Sequence, residues 1–135
     1  MDPNSVFVDT GAWFAAAVTG DPDHEKARAL FASNTRPLLT TDYIIDKLLT
    51  LFVVRGHKHK AKRWLRKVLW NGGVDVEHIN QSDFDEAIKI FDDFNDKEWS
   101  LTDCTSYVVM RRLGVTSAYS FDAHFQQFGF VHVIS

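Results

Sequence analysis

Short apolar runs alternate with amphipathic helical patterns along the whole chain, and this alternation constrains the fold more than any other feature. Val6–Asp9, Arg36–Thr40, Val74–Ile79, Ser117–Phe121 and Val131–Ile134 read as strands. Helical spacing fills the intervals: Ala12–Val18; a segment begun by Asp21-Pro22-Asp23 and running to Ser33; one capped by Thr41 or Asp42 and ending near Gly56; His57–Trp70; Gln81–Phe94, capped by Asn80 or Ser82; Thr102–Leu113; and Ala123–Phe128. Strands alternating with helices predict an α/β fold, a parallel sheet covered on both faces. Without repeats, low-complexity stretches or linkers, 1–135 reads as one domain, long enough to bury a core.

Three of the apolar runs end in an aspartate: Asp9 after Val6-Phe7-Val8, Asp103 after Trp99-Ser100-Leu101-Thr102, and Asp122 after Ala118-Tyr119-Ser120-Phe121. Ligands of parallel sheets bind at the carboxyl edge of the strands. If the first and fourth strands are neighbours and Asp103 starts a helix beside them, the three carboxylates converge there. Such carboxylates repel one another unless a cation lies between them. A divalent-metal site follows, with hard oxygen donors suited to Mg2+ or Mn2+. Each aspartate alone has an ordinary alternative as a helix cap or a partner of the helix dipole.

The net charge of −3 hides an asymmetry. Seven basic residues and no acid fall between Arg55 and Lys67, while the rest of the chain sets eight basic against 18 acidic side chains. Arg55, Lys58, Lys62, Arg63 and Lys67 are candidates for RNA phosphates, against the alternative of a solvated helix face. His57 and His59 read as surface histidines, most of the tryptophans as packing, and Cys104 as a small buried side chain. A single cysteine rules out an internal disulfide or a cysteine-based zinc site and fits a reducing cytoplasm. The first residues lack the pattern of a signal peptide, and no apolar run approaches a membrane span.

The motifs Phe7-Val8-Asp9-Thr10, Thr40-Thr41-Asp42-Tyr43-Ile44-Ile45, Ser100-Leu101-Thr102-Asp103-Cys104 and Ser120-Phe121-Asp122-Ala123-His124-Phe125, in this order, resemble the signatures of PIN domains, and most closely the VapC-like toxins of prokaryotic toxin–antitoxin pairs. The resemblance implies a five-stranded parallel sheet in the order 3-2-1-4-5. It also implies a cytoplasmic Mg2+- or Mn2+-dependent endoribonuclease, usually dimeric, that is held inactive by a cognate antitoxin. By position, Asp9, Asp103 and Asp122 match three metal-binding members of the family's acidic quartet, and Thr10, Thr102 and Ser120 match its supporting polar neighbours. The fourth member, a glutamate, aligns with Lys47. A carboxylate is there replaced by a cation with no acceptor capacity. Asp46 is adjacent but points about 100° away on a helix, and Asp42 reads as a cap. Lys47 therefore favours a second reading, a catalytically inactive PIN-type module that binds RNA or protein. A third, a small-molecule-binding flavodoxin-like domain, lacks the glycine-rich phosphate loop after the first strand.

Overall fold

The computed structural model describes residues 2–135. Five strands, β1 (Val6–Val8), β2 (Leu38–Thr41), β3 (Asp75–Glu77), β4 (Ser117–Tyr119) and β5 (His132–Ile134), form one all-parallel sheet in the order β3-β2-β1-β4-β5. The α/β class and the strand order are those expected. Helices α1 (Thr10–Ala17), α2 (His24–Ser33), α3 (Asp42–Val54), α4 (Lys58–Trp64), α5 (Gln81–Asp93), α6 (Leu101–Leu113) and α7 (Ala123–Gln126) connect the strands. Central β1 is wholly buried, as its unbroken Val-Phe-Val run requires of a strand covered on both faces. It pairs with β2 on one side (Val6 opposite Leu38) and with β4 on the other (Val8 opposite Tyr119).

β1 and β2 pass directly into helices at their carboxyl ends. Asp9 leaves β1 and caps α1, and Thr41 leaves β2 and caps α3 by accepting from the Ile44 N–H at 3.1 Å. Asp42 does not cap α3. Its carboxylate accepts from the Ile79 N–H at 3.0 Å and ties the start of α3 to the exit of β3. Asp23 makes no side-chain cap to α2; instead Asp21 Oδ1 accepts from the Asp23 N–H at 2.8 Å.

The expected helix over His57–Trp70 is interrupted. Regular α4 gives way at Leu65–Leu69 to a π-helical turn, closed by the Trp70 N–H donating to the Leu65 carbonyl at 2.8 Å. The wider turn leaves Leu65, Val68 and Leu69 half-buried and Trp70 exposed.

Two devices hold α6 in place. Behind its first turn, Trp99, Tyr107 and Phe128 meet edge to face or stacked at centroid distances of 5.2 to 6.2 Å. The Trp99 indole N–H donates to Gln127 Oε1 at 2.9 Å, fastening the start of α6 to the end of α7. Toward its other end, Arg112 donates to both oxygens of buried Asp83 at 2.9 Å and to Glu77 at 3.0 Å, joining α6, α5 and β3. Gly114 then ends α6 at φ +70, a left-handed conformation open to glycine without steric cost.

Candidate active site

Because β1 and β4 are neighbours, residues 111 apart in sequence meet at the carboxyl edge. Asp9 Oδ2 accepts from the Ser120 hydroxyl at 3.1 Å, and its Oδ1 accepts from the Thr10 N–H at 2.8 Å. Asp103 enters from α6 as the third residue of a capping box. It accepts from the Ser100 N–H at 2.9 Å while Ser100 Oγ accepts from the Asp103 N–H at 3.1 Å. Asp122 caps α7 by accepting from the His124 N–H at 2.8 Å. The capping roles open to these aspartates in the sequence are therefore all real, and they fix the directions in which the carboxylates point.

The carboxylates also feel one another. Burial pushes the Asp9 carboxyl up to about 6, the Asp103 charge adds to the rise, and Asp122 contributes less; the Ser120 hydroxyl and the Thr10 N–H pull the other way. Desolvation is the larger cause, since Asp9 is only 6% exposed.

His124, which carried no role in the sequence reading, links two of the three. Its Nδ1 lies 2.9 Å from Asp103 Oδ2 and 3.3 Å from Asp122 Oδ1. Its signal was the spacing of the motif Asp122-Ala123-His124, which puts the ring over the carboxylate whose helix it follows. Of the supporting residues, Ser120 bonds to Asp9, and Thr102 engages the site's helix through its carbonyl, which accepts from Thr105 and Ser106. The Thr10 hydroxyl is buried without a hydrogen-bond partner among the described residues.

Asp9, Thr10 and Asp122 line a cleft of about 450 Å³ whose opposite wall is α3, through Lys47, Leu51 and Arg55. Asp103, 4% exposed, does not line this cleft. Lys47 thus lines the same cleft as Asp9 and Asp122. Asp46 is exposed but does not line the cleft, so it offers no replacement carboxylate there. Asp21 and Asp23 do line it, a placement that their role at the start of α2 gave no reason to expect.

As donors, Asp9 and Asp103 suit a hard divalent cation: they are oxygen ligands, gathered close enough to raise a pKa, with no cation paired to Asp9 among the described residues. Among the described residues, however, no three His, Cys, Asp or Glu side chains form a group arranged to hold a metal. Mg2+ commonly takes one or two carboxylates and keeps several waters, so two aspartates are a sufficient protein contribution.

The basic segment does not present one face to this edge. Arg55 alone reaches the cleft, its guanidinium 5.8 Å above the Phe14 ring. Lys58 and Lys62 line a small groove with Trp70. Arg63 and Lys67 line a larger groove of about 870 Å³ between α1, α2 and α4. Charges that are contiguous in sequence are thus spread over three surfaces: Arg55 stands at the end of α3, and helical spacing turns Lys58 and Lys62 to one side and Arg63 and Lys67 to another. No helix of the described residues is long and apolar enough to cross a membrane.

Residues 6–131 match the model of the PIN domain. VapC20 of Mycobacterium tuberculosis, described as a 23S rRNA-specific endonuclease, is 33% identical over 128 residues, covering 95% of this chain and 97% of that protein. Its crystal structure, that of a toxin cleaving the sarcin–ricin loop, superposes with a TM-score of 0.87 at 32% identity, over 93% of this chain and 96% of VapC20. FitAcB of Neisseria gonorrhoeae superposes with a TM-score of 0.70 at 12% identity, over 96% of each chain, a likeness of fold alone. The chain belongs to the PIN-domain family and is a relative of the VapC toxins.

Proposed function

We propose that this protein is the toxin of a VapBC-type pair, a metal-dependent endoribonuclease that hydrolyses RNA phosphodiester bonds. The observation that carries the reading is the buried Asp9 carboxylate, its pKa raised by burial and then by Asp103, at the carboxyl edge between β1 and β4, in a chain one-third identical to an RNA endonuclease along nearly its whole length. Asp9 and Asp103 would hold Mg2+ or Mn2+, with Asp122 acting through water. When bound, such an ion polarises a phosphate oxygen and lowers the pKa of an attacking water. The chain's own groups do the positioning: the Ser120 hydroxyl and the Thr10 N–H aim the two oxygens of Asp9, and the Ser100 N–H and His124 aim Asp103.

The groove between α1, α2 and α4 suits the antitoxin. Its floor is apolar, Arg28, Lys60, Arg63 and Lys67 are on its walls, and the buried indole N–H groups of Trp13 and Trp64 have no acceptor. An acidic segment with apolar anchors would meet all three features. Homodimerisation has candidate apolar surface in Ile88, Phe91 and Phe94, exposed on and just after α5.

The test is cleavage, with Mn2+ or Mg2+, of an RNA hairpin containing the sarcin–ricin loop, comparing this chain with Lys47→Glu. Cleavage by the glutamate form above that of the parent is expected. Equal cleavage by both would assign the fourth function to another group. Absence of cleavage by both folded forms would sink the nuclease reading. The alternative, an inactive module that binds RNA or protein, is favoured by one observation: a cation on the cleft wall where the family carries a carboxylate.

A further inference from the structure

Lys47 is more than a missing glutamate. It begins a stripe on α3, Lys47, Leu51 and Arg55, spaced four apart and all lining the cleft. Neither Lys47 nor Arg55 forms an ion pair among the described residues, although four aspartates border the same cleft. Arg55 lies over the face of Phe14, a contact that places the guanidinium on the cleft wall while leaving its donors free. Thr10, 4% exposed in the first turn of α1, lines the same cleft, and its hydroxyl has no hydrogen-bond partner among the described residues. Among the described residues the site therefore presents two unpaired cations and one buried unpaired hydroxyl to a single space. A phosphodiester satisfies all three, since its non-bridging oxygens accept from each of them.

We propose that Lys47 and Arg55, with the Thr10 hydroxyl, form a phosphate-holding wall that binds the RNA backbone independently of any metal. Lys47 is then a positioning residue: the substitution exchanges metal affinity for substrate affinity on the same wall. This rests on reading the cleft as an RNA site.

The test measures binding of a short fluorescent single-stranded RNA to the full chain in EDTA, by anisotropy, across a range of salt. Lys47→Ala and Arg55→Ala should each weaken binding about threefold near physiological salt and lower the slope of log affinity against log salt by about 0.7, the contribution of one phosphate contact on a single strand. Lys47→Glu should weaken it further. Lys89→Ala, on α5 and away from the cleft, serves as the control for net charge. No binding by the parent chain, an unchanged slope in either alanine variant, or an equal loss in Lys89→Ala would overturn the proposal. Both substituted residues are exposed, and matching thermal melts establish that the variants are folded. Cleavage with Mn2+, measured on the same proteins, separates the two readings: binding lost as stated without cleavage by any form removes the nuclease reading and leaves the phosphate wall.

Discussion

The two walls of the cleft are built on opposite principles. On the acidic side the three family-matched carboxylates are also structural elements: Asp9 caps α1, Asp103 closes a capping box, Asp122 caps α7, and each is held by a backbone N–H group within about 3 Å. On the α3 side Lys47, and Arg55 at the helix's end, have no charged partner among the described residues. The acidic wall is rigid and set before any ligand arrives. The basic wall is two long side chains that adapt to what they bind, at a cost in side-chain entropy. Rigid groups suit chemistry, where misplacement is penalised, and mobile cations suit holding a backbone of variable path.

The contrast breaks most visibly if the rigid side is altered. Asp103→Asn keeps the acceptor of the capping box but removes the charge; cleavage in a metal-dependent assay should fall by roughly 100-fold or more, the upper end of what even outer partners of a metal cost, with little loss of thermal stability. Trp99→Ala empties the aromatic packing behind α6 and should destabilise the fold by about 3–5 kcal/mol in chemical denaturation, taking the acidic wall with it. Arg112→Ala, which strands the 2%-exposed Asp83 without its partner, should cost about 3–5 kcal/mol by the same measurement without touching the cleft.

Asp9 gives a pH signature. Its carboxyl is raised from 3.8 to about 6 in the folded chain, so the folded state binds more protons than the unfolded state between those values. Stability contributed by the protonated form is full below pH 3.8 and is lost as pH rises through 6. Asp9→Asn should therefore raise metal-free stability near pH 7 by a few kcal/mol (about 3 at the full shift) and change it little near pH 4. A rise of equal size at both pH values would show that the benefit does not come from charge. The smallest effect belongs to Asp46→Asn, which lies off the cleft and should leave cleavage and RNA binding within about twofold.

How much was legible in the sequence differs between the walls in the same way. The acidic side could be read because cap chemistry and strand ends leave local marks: an apolar run, then an aspartate, then a helix. Lys47 could be placed only through the family's order of motifs, since one lysine on an amphipathic helix carries no signal of its own. The partition of the basic segment was legible only in part: helical spacing alone sets Lys58 and Lys62 on one face and Arg63 and Lys67 on another, whereas Arg55 facing Phe14 depends on a tertiary contact. His124 fell between, its motif quoted but its ring's reach to Asp103 set by how α7 packs on α6.

The hydrogen bond from Ser120 to Asp9 spans 111 residues, because β4 must insert beside β1 after everything between them has been made. At about 5–20 residues per second of synthesis, roughly 5–20 s separate the two side chains on the ribosome. A nascent chain whose β4 has not emerged has no second side to its carboxyl edge and no site. In this relative of the VapC toxins, delayed assembly of this kind means that a growing chain carries no acidic site until β4 has emerged and paired with β1.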